Sequence, residues 1–396
     1  MTAYESFQSL LSFFRVTGCC PVGGLAGEHP RLLEDGRKSW YTLYSVLCLA
    51  IALFTAIDVI HDSSTRGSLE ARLHIFFSLV LMAQCYIVFG VAVARSRLLV
   101  SFLRQCVRLE NLRPPSRSRQ KSVKRLLRIL AVYAAICSCM QCASKILALL
   151  RSTGLRQIVH RCFVLVGALY IISWSMMTEA IVCLASQLIG IYIEVAANDI
   201  EIYGSSSAIR IQSTEFLCEA RLTFQRLRQL FLTAEKFLSV PLLVTFAAVM
   251  TNTCTMMFFM VTTEIHLGYV SKAMAVGHVV HTTLTLAVAT SYAQNVTEQA
   301  GKLKQSLLTW IKAGVDRAFQ KEVFSLVLIF KEETFTFNAC GFFNVESPIF
   351  RPMVGVVVTY TLVLYQTKLA ALSWSPPPCA VDANSSLTPI HQPLQT

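Results

Sequence analysis

Seven stretches of this chain are long and apolar enough to cross a bilayer, and that constrains its fold more than any other feature. Roughly 30 Å of hydrocarbon takes about 20 helical residues to span. The stretches are 40–60, 73–94, 129–150, 162–190, 237–261, 274–293 and 352–372. In lipid each must satisfy its backbone polar groups within itself, which a helix does. The sequence therefore predicts an all-α membrane protein with seven transmembrane helices. The sixth stretch is the least apolar, holding His278, His281 and several threonines. The fourth exceeds what a bilayer needs and predicts a helix that runs on beyond it. Composition agrees: 54% of the 396 residues are hydrophobic and 15% charged, whereas a soluble domain is about a quarter charged.

Orientation follows from the basic residues. With the N-terminus inside, the cytoplasmic segments hold 27 Lys and Arg and the outer ones seven, with Lys145 inside a span. Segment 95–128 alone holds eleven. The positive-inside rule then places the N-terminus in the cytoplasm. The expected organisation is a cytoplasmic N-terminal segment over 1–39, and spans one to six over 40–293 with a basic cytoplasmic loop at 95–128. Cytoplasmic anchor helices follow over 294–349, then a seventh span over 350–372 and an extracellular tail over 373–396. Residues 1–39 lack a long apolar core ending in small residues, so the first span is expected to act as its own insertion signal.

The net charge of +12 lies in segments between apolar blocks. Membrane lipid is therefore the expected partner, and nucleic acid is not. In loop 95–128, Arg113-Pro114-Pro115 precedes a basic run with Ser116, Ser118 and Ser122, read as a solvated face near anionic lipid. An inward N-terminus also argues against a G-protein-coupled receptor, as does the absence of Asn-Pro-x-x-Tyr in the last span and Asp-Arg-Tyr in the third. Of two glycosylation sequons, Asn295-Val296-Thr297 is expected inside and unmodified. Asn384-Ser385-Ser386 is expected outside, as a candidate to carry sugar.

The long inner segments carry helical patterning. Leu217, Ala220, Phe224, Leu227, Phe231, Ala234 and Leu238 recur in heptad steps, with Glu219, Arg221, Arg226, Arg228 and Gln229 between them. This predicts an amphipathic helix projecting inward from span five and packing on another helix. A second such face follows span six: Leu303, Leu307, Trp310, Gly314 and Ala318.

The last span carries the specific signal. Ser347 is expected to cap it with Pro348 at the first position. Gly355, Thr359, Leu362 and Gln366 share one face, with Tyr360, Val363 and Thr367 on the adjacent stripe. Thr359-Tyr360, five residues and Gln366, after the run Phe335-Thr336 to Gly341-Phe342-Phe343, resembles the hallmark of the arthropod gustatory receptor family, part of the insect chemoreceptor superfamily. Phe14, Gly18 and Pro21 are similar to the family's N-terminal segment. Thr367 stands where that family usually has phenylalanine.

The resemblance implies a ligand-gated non-selective cation channel in the plasma membrane, a homo- or hetero-tetramer with related subunits that answers a small-molecule tastant. Four copies of the seventh span would line the pore, with Gln366 and Thr367 at the outer gate and Leu362 or Val363 deeper. Thr359, Tyr360 and Gln366 would be the family motif, and Thr359 a pore residue. For Thr359 and Gln366 the alternative role is hydrogen bonding in helix packing; for Tyr360 packing is expected. Thr361, where sugar-sensing members carry Glu, argues against a sugar ligand.

Aromatic and polar groups in the outer halves of spans two to six give a pocket set: His74, Phe77, Tyr170, Trp174, Met257, His278 and His281. Cys137, Cys139 and Cys142 read as apolar packing rather than metal ligands, and no metal or cofactor is expected. Lys145 reads equally as a functional charge and as a snorkelling one; Glu179 lies too deep toward the inside to pair with it. No nucleophile–base pair or phosphate loop occurs, so an enzyme is not expected. A secondary transporter is the main alternative, and it would need broken helices and an internal repeat.

Overall fold

The computed structural model describes residues 3–18, 40–64, 69–112, 114, 116–150, 154–205, 213–262, 269–312, 317–329 and 335–373. These form α1 (Ala3–Val16), α2 (Trp40–Ser64), α3 (Leu69–Ala94), α4 (Ser96–Leu112), α5 (Arg117–Leu150), α6 (Leu155–Ser205), α7 (Ser213–Thr262), α8 (Tyr269–Lys312), α9 (Arg317–Ile329) and α10 (Phe350–Ser373). The chain is all-helical. Among the described residues, five helices are long and apolar enough to cross a membrane, over Trp40–Asp58, Ile75–Ala94, Leu155–Glu201, Cys218–Met260 and Ser347–Thr367.

The third and sixth expected spans fall in α5 and α8, which are less uniformly apolar. Several of their polar groups bond within the protein. Thr282, Thr285 and Thr290 donate to carbonyls one turn back in α8, and Tyr133 of α5 reaches His281 of α8.

Four helices outrun the bilayer. α6 has 51 residues, about 76 Å at 1.5 Å per residue, against some 30 Å of hydrocarbon. Its distal part, with those of α7 and α8, forms a lower bundle with α4 and α9, and the largest core lies there. The heptad seam on α7 is buried throughout its described part (Ala220, Phe224, Leu227, Phe231, Ala234, Leu238), while Glu219, Arg221, Arg226, Arg228 and Gln229 are exposed. Water drives this segregation, whereas inside lipid an apolar surface gains little by leaving its solvent. Leu303 and Leu307 of α8 are fully buried in the same core. The side chains of Leu217, Trp310 and Ala318, and Gly314 itself, lie outside the described residues.

Segment 95–128 is not a loop. Its first half is α4, which buries Leu99, Val100, Phe102, Leu103, Cys106 and Leu109 and turns Arg97, Arg104 and Arg108 to water. Those apolar residues recur at helical spacing, so the basic content that sets orientation is the wet face of a packed helix. Burial pushes the Cys106 thiol up from its ordinary pKa, and Glu110 one turn on adds to the effect. Polar links tie the bundle together. Arg119 pairs with Glu194 at 3.0 Å, the Tyr192 hydroxyl donates to Glu110 Oε1 at 3.3 Å, and Arg95 donates to the Lys236 carbonyl and to Ser239 Oγ.

The aromatic run before α10 is an extended clamp. Phe335, Thr336, Phe337 and Ala339 are buried, with Phe335 and Phe337 5.3 and 4.8 Å from Phe231 of α7. The turn at Cys340 and Gly341 has φ of 55° and 84°, and Phe343 returns to meet Phe246 at 4.9 Å. The expected Ser347 cap is not formed. Glu346 occupies the cap position without a side-chain bond, and a 3-10 turn over Ser347–Ile349, with Pro348 in its first positions, leads into α10. The Ser347 amide instead donates to Gln294 Oε1 of α8 at 3.1 Å.

α1 docks beneath α2 and α6. Leu11 and Phe14 are buried, Tyr44 donates to the Val16 carbonyl, and Gly18, at φ +73°, leaves no room for a Cβ against Cys48. Pro21 lies outside the described residues.

Candidate pore helix and ligand site

α10 is apolar all round, yet only 6% of its spanning stretch is buried. It packs along α7 by one stripe: Thr361 is buried, and Met353, Val357 and Tyr365 are half-buried at steps of four. Gly355, Thr359, Leu362 and Gln366 lie 100–160° around the helix from Thr361 by the helical repeat of about 100° per residue, and all four are exposed. Leu362 is 54% exposed, Val363 50% and Tyr360 59%. Tyr360 therefore has no packing role within one chain.

Of the three threonines in the motif region, Thr361 has a buried hydroxyl without a partner, and the other two bond to their own helix. Thr359 Oγ1 donates to the Gly355 carbonyl and Thr367 Oγ1 to the Val363 carbonyl, each at 2.8 Å. Neither holds a second helix. Gln366 is exposed, and its carboxamide meets no partner among the described residues.

Six of the seven expected pocket residues have described side chains, and these fall in four places. Phe77 of α3 meets His278 of α8 edge-on, ring centres 5.1 Å apart, and His281 lies 6.4 Å from His278. Two residues of α5 join them: the Tyr133 hydroxyl lies 2.5 Å from His281 Nδ1 and 3.2 Å from its carbonyl oxygen, and Cys137 Sγ is 3.1 Å from the same nitrogen. His278 Nε2 is buried without a partner. Tyr170 instead packs on Ala52, Ala56 and Met82. Trp174 donates to the Thr17 carbonyl at 3.2 Å and stacks on Phe89 at 5.0 Å, so it anchors α1. Met257 is half-buried on α7. The side chain of His74 in α3 and that of Lys145 in α5 lie outside the described residues, as does Asn384.

Tyr133 and Cys137 were not in the pocket set. The only signal for them is their four-residue spacing, which puts both on one face of α5. Cys137 and Cys142 are buried on Ile172 and Met176, while Cys139 is exposed. A cavity between α1, α5, α6 and α8 has Tyr133 in its wall, and none of the seven expected residues is among those that line it.

A membrane bundle of this plan, with its main core in the extensions of the spans and a nearly unpacked last helix, defines a known class. A family model described as "7tm Chemosensory receptor" matches residues 146–371. The chain belongs to that family, the insect chemosensory receptors, whose members are ligand-gated cation channels. Its fold is similar to that of the insect olfactory receptor OR5 from Machilis hrabei in complex with eugenol. The TM-score is 0.71 at 15% identity, over 92% of this chain and 98% of that one. A second structure of the same receptor gives a TM-score of 0.72 at the same identity and coverage. No curated protein matches the chain.

Proposed function

We propose that this chain is a gustatory-type receptor subunit: a ligand-gated non-selective cation channel in the plasma membrane, built from four chains whose α10 helices line one pore. The observation that carries the reading is α10 itself. A helix held by one stripe, with its polar-flecked stripe turned away from its own subunit, is poorly explained as part of a finished monomer. Four such stripes around an axis would enclose a wet path. Leu362 or Val363 would close it by dewetting, and Thr359, Gln366 and Thr367 would hydrate it.

The N-terminus lies inside in this reading, so α10 runs outward and Gln366 and Thr367 sit near the outer mouth. The lower bundle, with residues 294–349, serves as the anchor between subunits, and 373–396 forms the outer tail. Thr367 replaces an aromatic seal with a small polar group, so the seal falls to Leu362 and Val363 or to a partner subunit. The ligand, a small-molecule tastant, occupies the space around Phe77, His278 and His281, where apolar walls carry a few polar groups. The eugenol complex of the Machilis receptor supports a small organic ligand in this fold.

The test is current recording from cells expressing the chain, alone and with related subunits, against a ligand panel. Ligand-evoked channel currents altered by Gln366→Ala or Thr367→Phe are expected. Currents indifferent to both substitutions would remove the pore assignment, and voltage-independent stoichiometric uptake without channel currents would favour a transporter.

A further inference from the structure

A cavity of about 670 Å³ opens between α1, α5, α6 and α8. It runs from Lys124 to Ser138 along α5, about 21 Å at 1.5 Å per residue, which is the reach of a long acyl chain. Its walls are almost wholly apolar, with Phe13, Ala135, Ile172 and Met176 among them. Lys124 and Arg128 stand at one end, exposed and without an ion pair among the described residues. A second groove, continuing over Val132 and Ile136, starts from the same end and shares Arg128, Ile129 and Tyr133 with the first; Arg125 joins it there.

Two apolar channels that diverge from one basic end have the form of a two-chain lipid with an anionic head. We infer that the site binds an anionic diacyl phospholipid of the inner leaflet. Its phosphate sits among Lys124, Arg125 and Arg128, one chain lies in the cavity, and the other lies along Val132 and Ile136. Depth agrees, because these cations are the last of the basic run before span three, where headgroups lie. The acid in the cavity wall, Glu179, has one carboxyl oxygen buried without a partner. The cations of the lining, Lys124 and Arg128, both stand at the rim, which places the phosphate there. With α1 as one wall, the lipid would tie the N-terminal helix to the bundle. The inference uses the inward N-terminus proposed above, which glycosylation mapping tests separately.

The test uses the full-length protein in phosphatidylcholine vesicles containing phosphatidylserine with a photoreactive group on its acyl chain. Label is expected on the α5 and α6 peptides that line the cavity. Lys124→Glu with Arg128→Glu should lower it about thirtyfold or more, from roughly 1 kcal/mol for each of the two basic residues near the surface. Ala135→Phe fills the cavity with the rim intact and should also remove it, while thermal stability in pure phosphatidylcholine stays unchanged for each. Equal labelling by a phosphatidylcholine probe, or labelling indifferent to both variants, would overturn the inference. So would displacement of the probe by a lipophilic amine that depends on Glu179, which would make the cavity an amine site.

Discussion

At the scale of single residues, the tightest constraint in the spans is Gly167 of α6. A Cβ there would lie 1.9 Å from Thr55 Oγ1, 2.8 Å from Thr55 Cβ and 3.1 Å from the Ile51 carbonyl, so α2 and α6 meet backbone to backbone. Small residues permit such contact where the hydrophobic effect does not hold helices together. Gly167→Val is expected to cost about 1–3 kcal/mol by overpacking, read as a lower melting temperature of the purified protein. Gly90→Val, at a site with nothing within 4 Å, should leave it unmoved. A second residue-scale prediction concerns Tyr133. Removing its hydroxyl takes away a hydrogen bond to His281 worth about 1 kcal/mol. If the ligand sits beside His281, Tyr133→Phe shifts half-maximal ligand concentration about fivefold while maximal current holds. A shift in maximal current at unchanged potency would instead assign the pair to gating. Neither contact was legible in the sequence. Tyr133 and His281 are 148 positions apart, and nothing local in either helix announces a partner. Trp174 shows the same limit: its depth was countable, but the end of α1 that takes up its indole N–H was not.

At the scale of elements, legibility follows the solvent. The heptad seam of α7 was readable because its lower half meets water, so polar and apolar residues separate onto opposite faces. The helical character of α4 was written in the same code, but eleven basic residues across 95–128 made the segment look like a solvated loop. α10 offers no such code. It is apolar on every side, so sequence alone groups Gly355, Thr359, Leu362 and Gln366 on one face without saying what that face meets. The structure adds the packed stripe through Thr361, and the pore reading takes the face opposite it. That reading makes Leu362 a dewetting barrier. Leu362→Asn should therefore pass current several-fold above wild type before ligand is added, because a polar ring holds water in the path. Ligand-free current recorded in the same cells, normalised to surface protein, checks this. No leak from Leu362→Asn together with none from Val363→Asn would place the gate outside this turn of α10.

At the scale of the whole molecule, two solvents act on one bundle, and the lower half carries the folding core. Phe231, fully buried between Phe335 and Phe337, joins α7 to the segment that feeds α10, so in the proposed channel motion of the lower bundle would reach α10 through packed rings. Phe231→Ala is expected to cost about 3–5 kcal/mol, enough to remove the receptor from the cell surface. Orientation is the remaining whole-molecule property, and the two sequons test it. Asn295 lies half-buried on α8, its Nδ2 3.4 Å from where a Cβ on Gly190 of α6 would stand, and Gln299 donates to its Oδ1. A glycan there would force α8 from α6, so packing and the inward orientation both demand an unmodified Asn295. Asn384, on the outward tail in the same orientation, is open to the transferase. Endoglycosidase treatment should therefore change gel mobility for the wild type and for Asn295→Gln, and should have no effect on Asn384→Gln. Sugar on Asn295 would invert the chain in the membrane, send α10 inward, and carry Gln366 and Thr367 to the cytoplasmic mouth, beyond the first reach of an external ligand.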